Sequence, residues 1–344
     1  MANITLAIDA MGGDHGPPVT VPAALAALQE HPELILLLVG NRDVMQEILA
    51  KHHARESEHL QIIHATQEVG MDELPSHALR NKKDSSMRVA IDLVKAGNAA
   101  ACVSAGNTGA LMATARFVLK MLPGVDRPAI MASLPTKTPG KEVCVLDLGA
   151  NVDSCADHLY QFGVMGSVAV RAVENIERPR VALLNIGEEE IKGNDQVKLA
   201  AQLFSENPNI NYIGYIEGDA IFAGVADVVV CDGFVGNIAL KTSEGITRLL
   251  INSVREAFTR NWLTRLAGVI VSRSFVEIRK NLDPGRRNGA SLLGLQGIVI
   301  KSHGGADARA YANAITQAVK EVEKNVPEKI RAEIGLVLEE GELP

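Results

Sequence analysis

Short aliphatic and β-branched runs alternate along the chain with longer stretches in which apolar residues recur every three to four positions. The short runs predict strands at 5–9, 34–40, 60–65, 100–104, 129–134, 143–148, 181–186, 211–216, 227–231 and 297–301. The longer ones predict helices that include 21–30, 42–52, 85–96, 108–119, 157–173, 194–204 and 306–324. Strands separated by helix-length crossovers build a mostly parallel sheet covered on both faces. The expected fold is therefore α/β, a three-layer α/β/α sandwich with a mixed, mostly parallel sheet. No Ser/Gly linker or repeat interrupts the pattern, so one catalytic unit over 1–344 is expected.

Composition narrows the function classes. With 47% hydrophobic and 22% charged residues, the 344-residue chain has the make-up of a globular protein with a large core, not a disordered or fibrous one. Its net charge of −7 and 3% aromatic content leave little for a phosphate-tracking groove with stacking platforms, so no nucleic-acid partner is expected. The longest apolar runs fall far short of the roughly 20 residues that span a bilayer. The start of the chain carries no basic flank and no long apolar stretch, so no signal peptide is expected. Cys102, Cys144, Cys155 and Cys231 lack metal-ligand spacing and read as reduced thiols of a cytoplasmic protein.

Chemistry concentrates where the strands end. In such sheets, helix N-termini and free backbone N–H groups gather beyond the strands' carboxyl ends. The turns there share Gly, Asn and Asp: Asp9 with Gly12 and Gly13; Gly106-Asn107-Thr108-Gly109; Asp147 with Asn151; Lys192-Gly193-Asn194; Asp232-Gly233 with Gly236 and Asn237; and His303 in Lys301-Ser302-His303-Gly304-Gly305. Such turns suit an anion, because glycine lets backbone approach it and the helix dipole favours it. The plainer reading of Asn107, Thr108 or Asp232 is a helix cap. Repetition at several strand ends points to a shared cleft. No nucleotide-binding glycine motif, nucleophile elbow or metal-binding histidine pair is present. Glu188-Glu189-Glu190 reads as a solvated face, so no metal is assigned. Lys192 and His303 are the cationic or titratable groups within the glycine-rich turns.

One segment stands apart. Residues 252–287 hold eight basic and three acidic residues, a surplus of five positive charges in an otherwise acidic chain. On a helix, Phe258, Trp262, Leu263, Leu266, Val269 and Ile270 form one broad apolar face. A protruding helical hairpin of this kind either docks on an anionic membrane surface or packs against its twin in a dimer.

The motifs IDAMGGDHGP (8–17), SSMRVAIDLVK (85–95), VSAGNTGALMA (103–113), LDLGANVD (146–153), VALLNIGEEEIKGN (181–194), VCDGFVGNIALKT (230–242) and IKSHGGAD (300–307) run in order along nearly the whole chain. Together they resemble the bacterial acyl-ACP:phosphate acyltransferase family (PlsX). The resemblance is looser at 51–58 and over the basic segment. It implies transfer of a long fatty acyl group from acyl carrier protein to inorganic phosphate, on a fold like that of phosphate acetyltransferases and isocitrate/isopropylmalate dehydrogenases. It also implies a homodimer, peripheral association with the inner face of the cell membrane, and handover of acyl phosphate to a membrane glycerol-3-phosphate acyltransferase. No cofactor or metal is expected.

The residues agree with that chemistry, because phosphate is itself the nucleophile and the protein need only position it and stabilise developing charge. On this reading Lys192 holds phosphate or its transition-state charge, and Asn237 donates to the oxyanion. The turns at 106–109 and 233–236 supply backbone donors, and His303 binds phosphate or protonates the leaving sulfur. Asp147, Asn151 and Asp232 orient their neighbours. An acidic carrier protein needs a basic dock, for which 255–287 or Arg80, Lys82, Lys83 and Arg88 are candidates. Competing readings are an acyltransferase using short acyl-CoA, a membrane-associated scaffold, and a decarboxylating dehydrogenase of the same fold.

Overall fold

A computed structural model describes residues 3–266, 271 and 283–341. The chain opens with β1 (Ile4–Asp9), α1 (Pro17–Glu30), β2 (Leu34–Gly40), α2 (Arg42–Lys51) and β3 (Leu60–His64). It continues through α3 (Pro75–Asn81), α4 (Ser86–Lys95), β4 (Ala101–Ser104), α5 (Thr108–Leu119), β5 (Ala129–Pro135) and β6 (Glu142–Leu146). Then follow α6 (Ala156–Glu174), β7 (Arg180–Leu184), α7 (Asp195–Glu206), β8 (Asn211–Ile216), β9 (Val228–Val230) and α8 (Gly233–Thr259). The C-terminal part adds β10 (Ala290–Leu293), β11 (Ile298–Lys301), α9 (Ala308–Lys324) and α10 (Val326–Gly341).

The strands form a single sheet of order β3-β2-β1-β4-β11-β10-β5-β6-β9-β7-β8. Strand pairs are parallel except at its centre, where β10 is antiparallel to both β11 and β5, and β5 to β6. The expected mixed, mostly parallel sandwich is the fold observed. The antiparallel centre has one large consequence. β1, β2, β3, β4, β11 and β5 run one way, and β6 to β10 run the other. Carboxyl ends therefore lie on two opposite rims, so the expectation that every turn meets in one cleft is corrected. The turns after β1, β4 and β11 share one rim, and those after β6, β9 and β7 share the other.

Three apolar clusters fill the layers. One face of the first half packs Val21, Ala24, Met45, Tyr311 and Ile315 from α1, α2 and α9. In the second half, α6, α7 and α10 bring Phe162, Val164, Phe204 and Ile330. The opposite face is continuous across the whole sheet: Ile91, Leu111 and Leu119 of α4 and α5 join Val145 and Val229, and Ala239 and Leu240 of α8 pack onto them.

Two elements depart from the sequence reading. β10 was not expected, because its four residues lie between Gly289 and Gly294, both at positive φ, with no alternation to mark them. Asp232 is the helix cap of the plainer reading, but residues 233–237, read as a turn, are the first turns of the 27-residue α8. Glycine disfavours helix by up to about 1 kcal/mol relative to alanine, so Gly233, Gly236 and Gly245 masked the helix. Of the basic segment, the structure describes the end of α8, a helical stretch at 262–266 and a 3-10 turn at Pro284–Arg287. The rest of the expected hairpin, with Val269 and Ile270, lies outside the described residues.

Candidate active site

The first rim is built on one register row. Asp9 of β1 pairs with Ser104 of β4, which pairs with Lys301 of β11. Ser104 Oγ donates to Asp9 Oδ2 at 2.6 Å and accepts from Gly106 N at 3.0 Å. Burial pushes the Asp9 carboxyl up against the pull of that hydroxyl. Its Oδ1 is buried with no hydrogen-bond partner among the described residues. Glycine is required above it: a Cβ on Gly12 would stand 2.6 Å from Asp9 Oδ2 and 2.8 Å from Gly106 N. Gly13, at φ 93°, is wedged between Ala105 and the Gly304 carbonyl, and Asp14 N donates to that carbonyl at 2.9 Å. Three loops are thus interlocked.

Asn107 is spent on structure, and its amide is not presented to a ligand. Its Oδ1 caps α5 by accepting from Ala110 N at 3.0 Å, while Nδ2 donates to the carbonyls of Met71 at 2.7 Å and Glu73 at 3.2 Å. Thr108 and Gly109 are the first two residues of the helix, where N–H groups have no intrahelical acceptor.

The second rim centres on Asp147, which is fully buried. Its Oδ1 accepts from Ile130 N and Ala150 N, each at 3.0 Å, and its Oδ2 from Asn151 N at 2.7 Å and Nδ2 at 2.8 Å. Burial outweighs these bonds and raises the carboxyl. Asn151 Nδ2 also donates to Pro128 O at 2.7 Å. Asp232 caps α8 by accepting from Phe234 N and Val235 N at 2.9 Å. Gly233 N donates to Asn151 O at 2.8 Å and Gly236 N to Asp232 O at 2.9 Å. All four N–H groups of 233–236 therefore have acceptors, which corrects the expectation that this turn offers backbone donors. Asn237 is the polar side chain left at this point, exposed and lying against Gly149. A Cβ on Gly236 would overlap the Asp147 carbonyl oxygen and crowd Cys231 Sγ. Gly236→Ala is expected to cost about 1–3 kcal/mol of stability, as overpacked sites do; an unchanged denaturation midpoint would contradict this packing.

Helix α8 connects the rims. Asn237, Lys241 and Glu244 lie at i, i+4 and i+7, on one face, and Lys241 Nζ meets Glu244 Oε2 at 3.0 Å. Lys241 is about 12 Å beyond Gly233 at 1.5 Å per residue. There its charge acts on His303 and Lys301 of the first rim, and that of Glu244 on His303. His303 N donates to Asn288 Oδ1 at 2.9 Å, and its Nδ1 accepts from Gly305 N at 3.1 Å. The neutral ring consequently carries its proton on Nε2, facing away from that bond. Burial, then the Lys241 ammonium, lowers the imidazole below its ordinary range. Lys301 Nζ donates to Ala105 O at 3.3 Å and to Ser302 O. Its burial brings the ammonium down to about 8.

The Lys192 loop follows β7, the neighbour of β9, and so belongs to the second rim with Asn237. It is closed by Asn185 Nδ2, which donates to Gly187 O at 3.1 Å and Lys192 O at 3.2 Å. Gly193 takes φ 92° against that amide, and Asn194 caps α7 by accepting from Val197 N at 2.9 Å. Lys192 itself is exposed. No group of three or more His, Cys, Asp or Glu side chains among the described residues is placed to hold a metal ion. Sequence reasoning passed over Lys241 and Lys301. The first becomes visible only once 233–259 is known to be helical. The second had a signal, a lysine closing the apolar strand Ile298–Lys301.

Residues 4–329 match the family model described as fatty acid synthesis protein. The chain is 58% identical over 341 residues to a phosphate acyltransferase of Legionella pneumophila (strain Paris), covering 99% of each. It is 59% identical over 337 residues to a phosphate acyltransferase of Halorhodospira halophila, covering 98% of each. This chain belongs to the phosphate acyltransferase family. It is accordingly an acyltransferase, and the family resemblance read from its motifs holds over the full length. Among solved structures, a phosphotransacetylase from Streptococcus pyogenes superposes with TM-score 0.62 at 17% identity, covering 93% of this chain and 94% of that one. A 4-hydroxythreonine-4-phosphate dehydrogenase from Klebsiella pneumoniae gives 0.55 at 16%, covering 93% and 100%. At such identities these likenesses establish the fold.

Proposed function

We propose that this acyltransferase moves a long-chain fatty acyl group from the thioester of acyl carrier protein to inorganic phosphate, feeding phospholipid synthesis. A phosphate oxygen attacks the thioester carbonyl, the C–S bond breaks, and the thiolate leaves with a proton as free carrier protein. The reaction is reversible and needs no cofactor or metal, because the phosphate supplies the nucleophile. The observation that carries this reading is the line along α8: the Asn237 amide stands against Gly149, one turn from Lys241, whose charge reaches His303. Asn237 donates to the oxyanion and Lys192 neutralises phosphate. His303, whose imidazole is lowered by desolvation and by the Lys241 ammonium, offers Nε2–H to phosphate or to the departing sulfur. Asp147, Asn151 and Asp232 fix the start of α8, and with it Asn237, through the bonds described above.

The donor is tested by trapping acyl phosphate as hydroxamate, with acyl carrier protein and coenzyme A thioesters supplied in parallel. Product is expected from the carrier thioester, with a KM that rises with salt as a basic dock requires. Product from coenzyme A alone would replace this reading with the short-acyl one.

We further propose that the chain acts as one catalytic unit in a homodimer on the cytoplasmic side of the cell membrane, handing acyl phosphate to a membrane glycerol-3-phosphate acyltransferase. Trp262, Leu263 and Leu266 are 73, 57 and 55% exposed beyond the end of α8, and Ile246, Leu249 and Leu250 are exposed along it. Among the described residues no helix is long and apolar enough to cross a membrane, so contact would be at the surface. Wild-type protein should float with anionic liposomes and Leu266→Glu should float less; equal flotation would remove the arm from the membrane.

A further inference from the structure

We infer that Lys301 is a positioning residue for phosphate: its part-buried ammonium ties the Gly106–Gly109 turn to the His303 turn and sets a positive charge beneath them. The inference rests on the reaction proposed above.

Three observations support it. Lys301 ends β11 in the same register row as Ser104 and Asp9, so its part-buried side chain stands beside two buried polar groups at the base of the first rim. Its two acceptors are the carbonyls of Ala105 and Ser302, the residues immediately before Gly106 and His303. The same two loops are held from above by Gly13, which sits between Ala105 and Gly304.

The groups facing Lys301 are Asp14 and Asp9 from the β1 end, Lys241 from α8, and His303 from its own loop. The two carboxyl groups favour its protonated form and Lys241 opposes it, while burial dominates and leaves titration at about 8. Above that point Nζ loses its charge and one of its three donors, so the bonds to the two turns are no longer charge-assisted and the field under the rim is gone. Phosphate affinity should therefore fall as pH rises through about 8.

The test follows acyl phosphate formation with phosphate varied between pH 6.5 and 9.5, for wild type, Lys301→Met and Lys301→Arg, with circular dichroism melts on each. In the wild type, kcat/KM for phosphate should fall on an alkaline limb near 8. Lys301→Met should raise KM for phosphate by about tenfold or more while KM for the acyl donor stays within about twofold, because loop misplacement of an ångström has effects of this size. Lys301→Arg, charged throughout this range, should keep most phosphate affinity and move the limb upward by a unit or more. A folded Lys301→Met enzyme with wild-type phosphate KM overturns the inference, as does an unmoved limb in Lys301→Arg. Should neither variant fold, the wild-type profile decides: no limb near 8 overturns it and a limb there supports it. A wild type that forms no acyl phosphate from any donor overturns the proposed reaction and this inference with it; normal turnover with unaltered variants overturns the inference alone.

Discussion

Asn237→Ala should lower turnover by about 10²–10³-fold with the protein still folded, the range seen when one preorganised oxyanion donor is removed. The backbone alternatives at this point are gone: the N–H groups of Gly233 and Gly236 and the two between them are engaged by Asn151 and Asp232. The side-chain amide at 237 is exposed, on the face of α8 that leads to Lys241, and its Cβ packs at Gly149. Removing it leaves the cap and the Asp147 hub intact, so the loss should appear in kcat and not in the melting temperature. Lys192→Ala should act through phosphate, raising its KM as well as lowering kcat, since an exposed ammonium contributes charge more than geometry. Steady-state kinetics with both substrates varied checks the pair. Near-normal rates in both variants would refute these roles.

The second large effect concerns stability. Glu321, on α9, is 3% exposed and faces a small cavity lined by Leu292, Leu293, Ile298, Val326 and Ile330. Its Oε1 accepts from Ser291 Oγ and from Gln317 Nε2 at 3.0 Å, yet burial dominates and raises the carboxyl to about 7. A carboxyl whose folded value lies above its unfolded one stabilises the fold at low pH. That contribution is present in full below pH 4.5 and is lost as pH rises to about 7. At 1.36 kcal/mol per unit, the loss is about 3 kcal/mol. Glu321→Gln keeps an Oε1 acceptor and cannot ionise. It should be more stable than wild type by up to about 3 kcal/mol at pH 8, or about 4 °C in Tm for a chain of this length. The advantage should shrink toward zero near pH 5. Denaturation curves at both pH values measure it, and a difference independent of pH would show that Glu321 is not the titrating group.

The strands that carry the site were legible because their signal is local. Leu34–Gly40 is apolar at every position but its last, as a strand buried on both faces must be, and is recovered with those limits. The first turns of α8 were not legible. Gly233 and Gly236 oppose helix formation by intrinsic propensity, and the reason for them lies elsewhere in the chain, in the Asp147 and Asn151 backbone that leaves no room for a Cβ. Asn107 read more plainly as a cap than as a ligand, and the structure makes it the cap of α5, with the carbonyls of Met71 and Glu73, over thirty residues away, taking its amide.

By itself, the sequence determined the layered α/β class, the family, and the glycine-rich turns at the strand ends, because periodicity and motif order are properties of neighbours along the chain. Tertiary structure decided which turns meet. The reversal at β10, β5 and β6 divides the turns between two rims, and a long helix whose glycines hide it brings Asn237, Lys241 and His303 into one line. Strand pairing and burial of that kind depend on contacts between residues more than a hundred positions apart, such as Lys301 with Ala105, which no local pattern records.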